Sequence, residues 1–117
     1  MADGYLTTHV LDTGRGCPAA GMKIALYVLS AAGRELLAEM HTNDDGRTDG
    51  PILATDAFQL GSYELVFYAG AYLQAQGLAA DQLFLDEIPI RFAMTEESHY
   101  HVPLLLSPYG YSTYRGS

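Results

Sequence analysis

The sequence predicts an all-β fold, an antiparallel sandwich with one small helical insertion. Three observations predict it. Seven or eight short apolar runs are separated by clusters of Gly, Pro, Asn and Asp. Several runs alternate apolar and other residues at period two, the repeat of a strand with one buried face. Only one segment reads as a helix, whereas a parallel α/β sheet needs a crossover helix after most strands.

Tyr5 to Asp12, rich in Thr, Val and Tyr, reads as the first strand. Gly14 to Gly21 holds three glycines and a proline and reads as a loop. From Met22 to Leu29, Met22, Ile24, Leu26 and Val28 face one way and Lys23, Ala25 and Tyr27 the other. Leu36 to Thr42 is ambiguous, because Glu35 to Met40 also suits a helix; its neighbours favour a strand. Asn43-Asp44-Asp45-Gly46 and Asp49-Gly50-Pro51 are turns, since Asn, Asp and Gly tolerate left-handed angles and bond their own backbone. Tyr63 to Tyr68 is a strand. Ala71 to Leu83 is the helix, interrupted or ended near Gly77. Ile88, Ile90, Phe92 and Met94 alternate again, and Pro89 on the opposite face points to an edge or a bulge. Tyr100 to Leu106 and Tyr111 to Arg115 are the last strands, joined by the turn Ser107-Pro108-Tyr109-Gly110.

Length and composition fit one domain over residues 1–117 with one core, hydrophobic residues making up 49%. Charged residues are only 17%, against about 25% in soluble domains, which hints that surface is covered in an oligomer. The formal net charge of −8 leaves no basic footprint for nucleic acid and would be repelled by an anionic membrane. A small anionic substrate stays open, because a local Arg and His cluster can outweigh the mean field. The N-terminal residues lack the basic head and apolar run of a secretory signal, no run approaches the roughly 20 apolar residues of a membrane span, and the chain does not end in Ser-Lys-Leu. A cytoplasmic location is expected. Cys17 is the single cysteine and reads as a loop residue.

The chemistry rests on four histidines, His9, His41, His99 and His101. Imidazole exchanges protons near neutrality. His99 and His101 sit two apart in a strand and share a face. The other face, Tyr100, Val102, Leu104 and Leu106, reads as the core side, so His101 points away from the core. The pair also suits a metal, but no third ligand has matching local spacing, so no metal and no cofactor are expected. His41 reads as a surface residue. Arg47 follows a tight turn; its guanidinium suits a carbonyl or an anion, or it pairs with Asp44, Asp45 or Asp49. The end, Tyr111-Ser112-Thr113-Tyr114-Arg115-Gly116-Ser117, is strand-like and aromatic, unlike the frayed polar ends of most chains, which suggests that it lines something.

Several segments together resemble the transthyretin-like family: Leu6-Thr7-Thr8-His9-Val10-Leu11-Asp12, Gly16-Cys17-Pro18-Ala19, and Thr42-Asn43-Asp44-Asp45-Gly46-Arg47. The run from His99 to Ser117, closing on Tyr114-Arg115-Gly116-Ser117, resembles its hydrolase branch rather than its thyroid-hormone carriers. The resemblance implies a transthyretin-like sandwich of two four-stranded sheets with one short helix. It implies a homotetramer, a dimer of dimers, with sites in the channel between dimers. It implies hydrolysis of 5-hydroxyisourate in urate breakdown, with His9, Arg47, His101 and Ser117 catalytic and with His9, Arg47, Tyr114, Arg115 and Gly116 binding substrate. The competing expectation is a carrier that binds a small aromatic ligand in the tetramer channel. A third is a β-sandwich interaction module in which the histidines are incidental.

Overall fold

Residues 3–116 are described by the computed structural model. Eight strands run in the order β1 (Tyr5–Asp12), β2 (Cys17–Pro18), β3 (Lys23–Ser30), β4 (Gly33–His41), β5 (Gly61–Tyr68), β6 (Glu87–Met94), β7 (His99–Ser107) and β8 (Gly110–Thr113). Helix α1 (Ala69–Ala75) follows β5 directly. The strands form two four-stranded sheets, ordered β2-β1-β7-β8 and β4-β3-β5-β6.

Period two builds both inner faces. Leu6 and Val10 on β1 meet Ile24 and Leu26 on β3, Leu65 and Phe67 on β5, and Leu104 and Leu106 on β7 in one buried core. Each such side chain contributes about 1.5–3 kcal/mol relative to exposure. Ala25 is buried as well, although it faces away from Ile24, because it is small and lies in register between Glu39 and Val66. β6 is an edge strand, as Pro89 requires.

Three local readings change. The helix runs over Ala69–Ala75 rather than Ala71–Leu83, and only a single 3-10 turn at Ala80–Gln82 follows it. Gly77, at φ +109°, ends it. The last strand is Gly110–Thr113, not Tyr111 to Arg115. The loop from Gly14 to Gly21 contains the two-residue β2, which pairs with β1. The segment around Leu36 is a strand, as its neighbours favoured, with a register shift between Leu26 and Tyr27. One ladder also departs from antiparallel order: β1 and β7 run parallel, with Thr7 opposite His101 and His9 opposite Pro103.

Buried polar groups are paired, one between α1 and β1 and one within the second sheet. The Tyr72 hydroxyl on α1 donates to Asp12 Oδ2 at 2.7 Å, and burial, then this bond, push the phenol up to about 12. On the second sheet, Glu64 accepts from Arg34 at 2.7 Å and from Arg91 at 2.8 Å while its own side chain is 3% exposed. The hydrogen bond from Arg91, then that from Arg34, hold its carboxyl below the usual carboxylate range. A depressed folded pKa adds stability above the unfolded value, and that stability is lost as pH falls through the folded one. Glu64→Gln should therefore lower the urea midpoint at pH 7. The gap to the parent should close as pH drops below about 4. A gap that does not change with pH would contradict the pairing.

Candidate active site

The outer face of the β1 and β7 strands carries the chemistry. On β1 the alternation that buries Leu6, Thr8 and Val10 sends Tyr5, Thr7 and His9 outward. On β7 it buries Tyr100 and Val102 and turns out His99 and His101. The parallel register sets Tyr5 opposite His99 and Thr7 opposite His101. Two segments remote from each other in sequence thus put three histidines on one face, the His9 and His101 rings 6.5 Å apart.

Arg47 arrives by a turn docked on β1. Asn43 Oδ1 accepts from the Asp45 and Arg47 amides, at 2.9 and 3.2 Å. Gly46, at φ +77°, lets the chain close on β1, where its carbonyl accepts from the Val10 amide at 2.8 Å. The bridge then pairs His9 with Arg47. A Cβ on Gly46 would collide with the Val10 carbonyl oxygen. Gly46→Ala should cost about 1–3 kcal/mol through the left-handed angle alone and should also raise KM by moving Arg47. An unchanged urea midpoint and KM would contradict this account.

Among the described residues no acidic side chain pairs with the Arg47 guanidinium; the Asp49 carboxylate accepts from Asn43 Nδ2 instead, at 3.0 Å. Arg47, Thr48, Gly50 and Pro51 wall one side of an open cleft of about 420 Å³, and Tyr5, Thr7, His99 and His101 the other. In a chain of net charge −8, this cleft is locally basic. Among the described residues no three His, Cys, Asp or Glu side chains converge as a metal-holding group.

The histidines are individually fixed. His9 Nε2 lies 2.8 Å from the Asp45 carbonyl. A carbonyl only accepts, so neutral His9 carries its proton on Nε2 and leaves Nδ1 bare. Thr7 Oγ1 lies 2.6 Å from His99 Nε2 and 2.7 Å from His101 Nδ1. His99 also stacks on Tyr5, with centroids 4.1 Å apart and planes 7° apart. Burial, then the charges of Arg47, His99 and His9, hold His101 below its ordinary pKa. It is therefore neutral at pH 7 and free to accept a proton.

The tail divides. The Gly116 amide donates to the His101 carbonyl at 2.7 Å, and a Cβ there would stand 2.6 Å from His101 Cδ2. Only glycine lets the tail lie this close to the ring. The Arg115 guanidinium turns elsewhere: it stacks on Tyr100 at 4.1 Å, reaches Ser98 Oγ at 3.2 Å and pairs with Glu96 at 3.9 Å. Arg115 and Tyr114 line a second cleft with Ile90, Phe92 and Val102. Within one chain, then, His9, Arg47, His101 and Gly116 come together, and the side chains of Tyr114 and Arg115 do not join them. Ser117 lies outside the described residues. His41 is exposed and far along the sandwich, on β4. Thr7 and Tyr5 were not singled out from the sequence. They share the period-two face of His9, but nothing in the sequence sets them opposite His101 and His99.

The family model described as HIUase/Transthyretin family matches residues 6–116. The chain belongs to this family. A relative from Mesorhizobium japonicum, named 5-hydroxyisourate hydrolase, is 60% identical over 115 residues, covering 97% of this chain and 93% of that protein. The structure of Klebsiella pneumoniae 5-hydroxyisourate hydrolase matches with a TM-score of 0.83 at 34% identity, covering 97% of this chain and 99% of that one. The crystal structure of an (S)-allantoin synthase matches with a TM-score of 0.90 at 50% identity. It covers 99% of this chain, which spans 44% of that protein's length. The family's fold is thus this chain's fold, and the matches include the cleft-bearing strands β1 and β7.

Proposed function

We propose that this protein hydrolyses 5-hydroxyisourate to 2-oxo-4-hydroxy-4-carboxy-5-ureidoimidazoline, by attack of water on a ring amide carbonyl. The observation that carries the reading is Arg47 and His101 lining one locally basic cleft, with His9 paired to Arg47 and its ring 6.5 Å from that of His101, and with Gly116 against the His101 ring. The high identity to relatives named for this activity supports it. The working unit is a single domain over residues 1–117, assembled as a homotetramer, a dimer of dimers, in the cytoplasm. No described helix is long and apolar enough to cross a membrane. Tyr114 and Arg115 would then act on substrate held between subunits, and Ser117 would fix the water.

Each step has a residue suited to it. His101, neutral at working pH, takes a proton from water as the new C–O bond forms. Such general-base help is typically worth about 10²–10⁴ in rate. His9, its tautomer set by the Asp45 carbonyl, accepts the water's second hydrogen bond through Nδ1. Arg47 holds the substrate carbonyls and steadies the negative charge that builds on oxygen. His101 returns its proton to the ring nitrogen as the C–N bond breaks.

The test is an absorbance time course of freshly generated 5-hydroxyisourate, with and without the protein, in a metal chelator. Decay far faster than the spontaneous rate supports the hydrolase. Spontaneous decay from a folded tetramer that binds the compound tightly and saturably would instead favour the carrier.

A further inference from the structure

His99 has no part in the mechanism above, yet it is held as firmly as His101. Tyr5 stacks on one face of its ring, and Thr7 Oγ1 holds its Nε2 at 2.6 Å. The same Thr7 oxygen holds His101 Nδ1 at 2.7 Å. One hydroxyl therefore serves two ring nitrogens with one proton. Among the described residues no other acceptor bonds this hydroxyl, so it donates to one ring and accepts an N–H from the other.

Two arrangements satisfy that count. In the first, Thr7 donates to His99 Nε2 and His101 donates from Nδ1, so His101 Nε2 is bare. In the second, His99 donates from Nε2 and Thr7 donates to His101 Nδ1, so neutral His101 carries its proton on Nε2. Only the first leaves a lone pair for water, because Nδ1 is engaged with Thr7 in both. It is also the only one that lets His101 hold two protons. An imidazolium must donate from Nδ1 to Thr7, and Thr7 must then donate to a bare His99 Nε2.

We propose that His99, acting through Thr7, is a positioning residue for His101. His99 with a bare Nε2 keeps His101 in the Nδ1–H form with Nε2 free. A His99 that carries a proton on Nε2 reverses both hydrogen bonds and removes that lone pair. The proposal rests on the reading of His101 as the base. During turnover His101 Nε2 takes one proton from water and gives one to the leaving nitrogen, while the Nδ1, Thr7 and His99 protons stay in place. The charged and titratable groups around the pair are Tyr5 and His9 on β1 and Arg47 on the turn; Gly116 brings backbone only.

The experiment is nitrogen-15 NMR of the histidine rings in the full-length protein, titrated from pH 8 to 5 without substrate. His99→Gln identifies the His99 signals by their loss. We expect His101 as the Nδ1–H tautomer at pH 8, passing to the Nε2–H tautomer as His99 gains its proton. Thr7→Ser keeps that coupling and Thr7→Val breaks it. If Thr7→Val does not fold, His99→Gln reads the same link, since His101 then keeps one neutral tautomer until it titrates. In turnover, Thr7→Val should lower kcat about 10-fold or more, within the reach of general-base help, with KM little changed and with Thr7→Ser restoring the rate. An Nε2–H tautomer at pH 8, or a tautomer in Thr7→Val that still follows His99, overturns the proposal. The expected tautomers in a parent that does not hydrolyse the compound overturn the hydrolase reading alone.

Discussion

Replacing His101 with alanine lowers kcat by about 10²–10⁴, the usual contribution of a positioned general base, and leaves the fold in place. The side chain points away from the core face formed by Tyr100, Val102 and Leu104, so its removal opens no cavity between the sheets. The loss belongs to kcat more than to KM, because Arg47 and the cleft wall remain to bind substrate. The pH profile carries a second expectation. Burial and the nearby Arg47 charge lower the His101 pKa. A lowered pKa keeps the ring unprotonated further into acid, so the acid limb of kcat falls below about pH 6.5. Steady-state rates from pH 5 to 8, with thermal melts as the fold control, check both. A variant with unchanged kcat would remove His101 from the chemistry.

Removing residues 114–117 should cost at least about 100-fold in kcat while the sandwich still melts cooperatively. Among its described residues the tail touches the body at few places: the Gly116 amide on the His101 carbonyl, and Arg115 against Tyr100, Ser98 and Glu96. The Arg115–Glu96 pair is exposed, and such pairs are worth about 0–1 kcal/mol. Folding therefore depends little on the tail, whereas the His101 ring loses the glycine backbone packed against it. Gly116→Ala separates the two roles at single-atom scale. Its Cβ would stand 2.6 Å from His101 Cδ2, which must displace the ring, so kcat falls with little change in melting temperature. A truncated protein with full activity would show that the tail takes no part. If truncation unfolds the chain, Gly116→Ala still decides.

Much of this was legible because local patterns carried it. Period two in Met22–Leu29 and Ile88–Met94 marked strands and their faces, and the same alternation in Tyr100–Leu106 set the outward direction of His101. Pro89 pointed to an edge or a bulge, because proline cannot donate to a ladder, and β6 is an edge strand. The ambiguous segment was β4, and the cause is visible. The register steps from Leu26 opposite Ala38 to Tyr27 opposite Leu36. Leu37 is the extra residue of a bulge, so the alternation breaks where it was being read. The helix came out too long, because Ala and Gln favour helix throughout Ala71–Gln82 while Gly77 stops it.

The site was legible as a set of residue types and only partly as a place. His9, Arg47, His101 and the tail came from motifs resembling those of the family. The partners that orient them did not. A carbonyl at Asp45 and a hydroxyl at Thr7 have no sequence signature, because any residue supplies a carbonyl and most threonines are spectators. Arg115 read as a binding residue, whereas within the chain its guanidinium is held by Tyr100, Ser98 and Glu96.

Local pattern thus settled what alternates and what turns: the buried faces of several strands, and which side chains can carry a proton or a charge. Those are local properties, set by backbone sterics and side-chain chemistry. That β1 and β7 lie side by side and parallel is a matter of long-range packing. That pairing joins residues more than ninety positions apart, and it follows from burying both inner faces in one core rather than from any local preference. The meeting of Thr7 with His99 and His101 exists only in that register, since a slip of one residue would turn every one of these side chains to the other face.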